Sequence, residues 1–99
     1  MKPLTEKQKR HLKALAHPLN PVIIVGGAGV TEALLKELDS TLEHHELIKV
    51  RVNAIDREAR DQLIDALCEG SQSLLVQRIG HIAVLYRPAK KPQLKLPRD

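Results

Sequence analysis

Between Val22 and Gly29 the chain reads VIIVGGAG and, after Val30, runs into TEALLKEL, so a β-branched apolar run empties through glycines into a helical pattern. Little else limits the fold so strongly. A strand that leads into a helix must return to a neighbouring strand, and the right-handed crossover this requires places the chain among layered α/β folds. The loop Gly26-Gly27-Ala28-Gly29 can adopt left-handed dihedrals and let a ligand touch its amides, because glycine has no Cβ. The helix that follows begins at about Thr31. Its first N–H groups have no intrahelical partner and carry the positive end of the helix dipole, a corner that attracts phosphate. The same glycines also suit a tight strand-to-helix turn with no ligand, and the loop alone leaves both readings open. It is not a Walker loop, since no Lys-Ser or Lys-Thr pair follows, and Glu32 stands where a dinucleotide fingerprint needs a small residue. No nucleotide cofactor is expected.

The remaining chain supplies elements on both sides of this junction. Residues 5 to 16, TEKQKRHLKALA, predict a first helix capped by Thr5, with Leu12, Leu15 and Ala16 inward and Lys7, Lys9, Arg10 and Lys13 toward solvent; His17-Pro18 ends it. Val22 to Val25 predicts a strand inside the sheet. Helix two runs from Thr31 to about His44, with Leu34, Leu35, Leu38 and Leu42 on one face. LIKVRV, from Leu47 to Val52, alternates as a strand with Lys49 and Arg51 on its outer side. Asp56 caps a third helix to about Glu69, with Gly70 as its stop. Leu74 to Ile79 and Ile82 to Tyr86 form a hairpin joined by Gly80-His81. The tail from about residue 88 is basic, interrupted by Pro88, Pro92 and Pro97, and expected to be mobile. The reading is a single domain over residues 1–99, a two-layer α/β sandwich of order α-β-α-β-α-β-β with a mixed four-stranded sheet.

Charge narrows the partner. The chain carries +4 at neutral pH, yet residues 1 to 20 and 87 to 99 sum to +4 each, whereas residues 21 to 86 sum to −4. Basic ends around an acidic middle suit a polyanion gripped at a few places. With no Phe or Trp and Tyr86 as the single aromatic, a platform for stacked bases is nearly excluded, so a nucleic acid would be held by its backbone. No recognition-helix pattern or dimer signal points to DNA. One cysteine forms no internal disulfide, and no apolar stretch matches a signal peptide or membrane span. The expected setting is cytoplasmic.

Enzyme chemistry finds no constellation. His11, His17, His44, His45 and His81 form no recognised set, and His44-His45 beside Glu46 reads as compensation of a helix C-terminus rather than metal ligation. Cys68 lies on an apolar stripe without evident His and acid partners.

GGAGVTEALL, LEHHELIKVRV and GHIAVLYRP occur in this order and spacing, and together they closely resemble the CRM domain (chloroplast RNA splicing and ribosome maturation), specifically its stand-alone bacterial YhbY-like form. The resemblance covers the chain from Leu4 to about Pro97. It implies an RNA-binding protein, a fold similar to the C-terminal domain of translation initiation factor three, and a part in assembly of the large ribosomal subunit; related plant domains sit in intron-splicing factors. It carries an RNA-backbone contact onto Gly26, Gly27, Ala28 and Gly29, and further contacts onto the basic first helix and onto Lys49 and Arg51. Many such loops place a Lys or another polar residue between the outer glycines, where this chain has Gly27 and Ala28, and Gly80-His81 replaces a common Gly-Lys. Contact through the loop would then use backbone amides alone.

The expected mechanism seats one or two phosphates on the loop amides and the helix start at Thr31, while Lys7, Lys9, Arg10 and Lys13 rail along the neighbouring backbone. Lys49, Arg51, Arg57, Arg60, Arg87, Lys90 and Lys91 would widen the track. The expected partner is ribosomal RNA in large-subunit precursors, bound by a monomer without a membrane, metal or cofactor. The alternatives are a protein-interaction module and a binder of another structured RNA, such as an intron. A KH domain also uses GxxG, but between two helices, whereas this loop follows a strand.

Overall fold

In the computed structural model, which describes residues 3–98, the elements are α1 (Glu6–Ala16), β1 (Pro21–Val25), α2 (Glu32–His45), β2 (Leu47–Val52), α3 (Arg57–Ser71), β3 (Leu74–Ile79) and β4 (Ile82–Tyr86). Lys2 and Asp99, which enter the charge sums, lie outside the described residues. Each helix starts where the sequence offers a side-chain cap. Thr5 and Gln8 form a reciprocal capping box, Thr31 Oγ1 accepts from the Leu34 amide at 3.1 Å, and Asp56 Oδ1 accepts from the Ala59 amide at 2.8 Å.

The sheet order is β1-β2-β4-β3. β1 and β2 are parallel, as the α2 crossover requires, while β4 pairs antiparallel with both β2 and β3. The mixed sheet and element order are therefore those read from the sequence. β1, however, is an edge strand rather than an inner one. The hairpin adds on the far side of β2, and an apolar run such as VIIV reads alike at either position because one face is enough to bury it.

Strand alternation divides the core. Ile23, Val25, Ile48, Val50, Val52, Ala83 and Leu85 face Leu38 and Leu42 of α2 and Ile64 and Leu67 of α3, making one helical layer on the sheet. β4 is apolar on both faces, so Val84 and Tyr86 need cover on the other side. There α1 packs with Leu12 and Ala16 against Leu47, Val76, Val84 and Tyr86, joined by Leu4, Leu94 and Leu96. Leu15, expected inward, is 43% exposed because this second face is covered only in part.

Gly70 does not stop α3, which continues to Ser71 and is capped by Gln72 in the left-handed region at φ 55°. A Cβ at Gly70 would lie 2.8 Å from Leu35 Cδ2, so this glycine lets α3 approach α2. Glu46, which caps α2 at φ 61° and ψ −43°, is strained for a residue with a side chain.

The segment after β4 carries no helix or strand, but definite contacts hold it where mobility was expected. The Lys90 amide donates to Glu43 Oε1 at 2.8 Å, the Gln93 amide to Glu46 Oε1 at 2.7 Å, and Gln8 Nε2 to the Pro97 carbonyl at 3.2 Å. Leu94 and Leu96 add apolar contact.

Candidate functional site

β1 delivers the glycine loop to the end of the sheet. The Gly29 amide donates to the Gly26 carbonyl at 3.0 Å, closing a tight turn with Gly27 and Ala28 at its tip. Gly29 sits at φ 70°, a conformation that side chains resist, so the fold itself asks for glycine there. Gly26 and Gly27 differ. Neither lies in the left-handed region, and a Cβ built on either meets nothing within 4 Å. Among the described residues, no backbone hydrogen bond engages the amides of Gly27 and Ala28. Thr31 caps α2 but leaves the first-turn amides of Glu32 and Ala33 directed out of the helix. The arrangement offers several donors around a bare surface.

Two neighbouring loops share this end of the sheet. The Asn53 amide donates to the Val25 carbonyl at 3.0 Å and the Val52 amide to the His81 carbonyl at 2.7 Å, so the 53–56 connection and the Gly80-His81 turn stand beside the glycine loop. Arg57 lies in the first turn of α3 and Arg60 follows one turn on. The Arg60 guanidinium donates to the Gly80 carbonyl at 2.6 Å, while its Nε is buried without a partner. With Arg78 they line a recess of about 280 Å³. Arg78, which also pairs with Asp61, was missed in the sequence. It reads there as a polar position on an alternating strand, and only the fold sets it beside Arg57 and Arg60.

The outward face of β2 extends the basic surface. Arg51 Nε donates to Asn53 Oδ1 at 3.4 Å, and Lys49 Nζ to the His17 carbonyl at 3.1 Å. Those two bonds link Arg51 to the glycine-loop end of the strands and Lys49 to the end of α1. On α1, Lys7 and Arg10 are exposed, and Lys9 and Lys13 half-buried. The helix leads into the start of β1, whereas the glycine loop leaves its other end, roughly 17 Å away along the strand. The C-terminal end of the helix and the glycine loop thus lie at opposite ends of β1, with the outward face of β1 and β2 between them.

Other sequence candidates lie elsewhere. Arg87 is committed within the chain: its guanidinium donates to the Asp39 carboxylate at 2.7 Å, the Asp39 carbonyl at 3.0 Å and the Ser71 carbonyl at 2.9 Å. Lys90 and Lys91 are exposed, but the Lys90 amide is held by Glu43, near the C-terminal end of α2. Glu43 is about 18 Å along that helix from Thr31, so these lysines do not join the loop. No group of three or more His, Cys, Asp or Glu among the described residues is placed to hold a metal. Burial pushes the Cys68 thiol above its ordinary pKa and Asp65 adds to this, against an opposing hydrogen bond from Ser73, so thiolate is scarce at neutral pH.

Residues 4–87 match the CRS1 / YhbY (CRM) domain. A Haemophilus influenzae protein named "RNA-binding protein" is 50% identical over 98 residues, covering 99% of both chains. The Bacillus subtilis "Probable RNA-binding protein YqeI" is 44% identical over 95 residues, covering 95% of this chain and 99% of its own. The solution structure of a Staphylococcus aureus protein, described there as a candidate RNA-binding protein, superposes with a TM-score of 0.82 at 42% identity, over 96% of this chain and all of the other. With a family match over most of its length and these full-length relatives, the chain belongs to the CRS1/YhbY (CRM) domain family.

Proposed function

We propose that this protein binds RNA through the phosphate backbone and assists assembly of the large ribosomal subunit, acting as a cytoplasmic monomer without catalysis. The observation that carries the reading is that Gly26 and Gly27 are not demanded by the fold. Neither needs a left-handed backbone nor space taken by a neighbour, and their bareness leaves the tip open to a ligand from outside. A phosphate against the tip meets the Gly27 and Ala28 amides, the first turn of α2, and the positive field of Arg51, Arg57 and Arg60. Arg78 extends that field toward the hairpin. RNA-binding names among the relatives support the ligand class.

Lys7, Lys9, Arg10 and Lys13 form a second contact region beyond Lys49. With roughly four to six phosphates neutralised, log affinity falls with log salt at a slope of about −3 to −4 on the single-strand coefficient. A titration of a labelled RNA with the purified protein reads that slope, and a value near zero is incompatible with a phosphate-led mode. The ribosomal part is tested by sedimenting a cell lysate through sucrose at low and moderate salt. Salt-sensitive co-migration with large-subunit particles or their precursors supports it. Material confined to the top of the gradient at both salts removes stable ribosomal association.

A further inference from the structure

The outward face of β1 carries more apolar surface than an edge strand needs. Ile23 and Val25 serve the core, but Val22 and Ile24 point the other way and are 53% and 62% exposed. Cations stand directly beside them. Ile24 is in register with Arg51, and Val22 and Lys49 share the wall of an open groove of about 580 Å³, which Leu15 of α1, Leu19 after it and Leu94 of the tail also line. Among the described residues, neither Lys49 nor Arg51 pairs with a carboxylate. An aliphatic stripe thus runs parallel to two unneutralised cations, between the glycine loop and α1.

We infer that this face binds a single-stranded stretch of RNA, its bases or riboses lying on Val22 and Ile24 and its phosphates meeting Lys49 and Arg51. The inference rests on the RNA-binding reading and adds the strandedness of the ligand. A duplex turns its bases inward and shows a protein mainly phosphates and 2′-hydroxyls, which leaves the aliphatic stripe nothing to cover. An unpaired strand shows apolar base faces and charged phosphates side by side, matching the two rows on the protein. Lys49 and Arg51 are two residues apart on one strand, about 6.7 Å, a stride that successive phosphates of an extended strand can match. With aliphatic groups in place of aromatic ones, the contact reads no particular base, so selectivity is for unpaired RNA over paired.

The test uses the full chain and two labelled probes, an unstructured oligoribonucleotide of about 12 residues and a duplex of the same length, at about 0.15 M salt. Val22→Thr/Ile24→Thr keeps β-branched residues at exposed positions, so it preserves the strand while making the stripe polar. The expected result is that wild type prefers the single strand by about tenfold, and that this variant loses about fivefold on the single strand, nothing on the duplex, and none of the salt slope. Lys49→Gln/Arg51→Gln should weaken both probes and flatten the single-strand slope by about 1.4. Equal single-strand affinity of Val22→Thr/Ile24→Thr and wild type overturns the inference while leaving RNA binding in place, and so does a wild-type preference for the duplex. If wild type binds neither probe, the RNA-binding reading falls with it. If sedimentation instead finds a wild-type dimer that this variant dissociates at unchanged RNA affinity, the stripe is a self-association face and the inference is wrong.

Discussion

Replacing Gly27 with Asp isolates the glycine loop from the rest of the protein. A Cβ there meets nothing within 4 Å, the backbone is outside the left-handed region, and Asp is at home in turns, so the melting temperature should hardly move. Binding should change, because a carboxylate then stands at the tip where a phosphate would sit. At a separation of about 5 Å the repulsion is roughly 0.8 kcal/mol in bulk water and twice that at an effective dielectric constant of about 40. Screening at physiological salt halves these figures to about 0.4–0.8 kcal/mol. Loss of an amide contact adds about 0.5–1 kcal/mol. The total of about 1–2 kcal/mol corresponds to a five- to thirtyfold rise in Kd. Fluorescence anisotropy with labelled RNA reads the change and circular dichroism checks the fold. Gly27→Asn, of nearly the same size without the charge, should lose markedly less, and the gap between the two should narrow as salt is raised. A folded Gly27→Asp variant with wild-type affinity would refute phosphate contact at the tip.

The other expectations concern stability and order. Gly29→Ala should lower stability by about 1 kcal/mol, since φ is 70° there, and a thermal melt will separate it from the neutral change at Gly27. Burial, and secondarily Glu46, raises the pKa of Tyr86, the single tyrosine, above its ordinary 10. The fold therefore favours the neutral phenol: this contribution is complete below about pH 10 and lost as pH climbs through the higher folded value. Tyrosinate absorbance should titrate late in the native protein, and Tyr86→Phe should soften the alkaline loss of stability. Glu46→Ala removes the carboxylate that receives the Gln93 and Leu94 amides, so limited trypsin digestion should cut after Lys90 or Lys95 faster than in wild type.

The seven elements were legible because their apolar periods are unambiguous and their caps are explicit: Thr5, Thr31 and Asp56 each begin a helix. Layer assignment was harder. Nothing local tells VIIV that its outer edge has no partner, and Gly70 looks like a stop until Leu35 is seen against it. The tail reads as a solvated basic segment because Leu94 and Leu96 are sparse among Pro and Lys, while the carboxylates that hold it sit more than 40 residues upstream at Glu43 and Glu46. The glycine loop was visible as a donor corner in the sequence, but its place at the end of β1 opposite the end of α1 depends on strand direction. Arg87 has the composition of an RNA contact and the surroundings of a clasp between α2 and α3.

The hydrogen bond from Gln8 to the Pro97 carbonyl brings the first turn of α1 and the segment after β4 together. Such a unit can be spliced into a surface loop of a larger protein, or opened at a new point after its ends are tied, with little change to its sheet. Copies strung head to tail would need only short connectors. Each could keep the start of α2 and its glycine corner free, because the junctions would form beside α1, on the sheet face opposite α2.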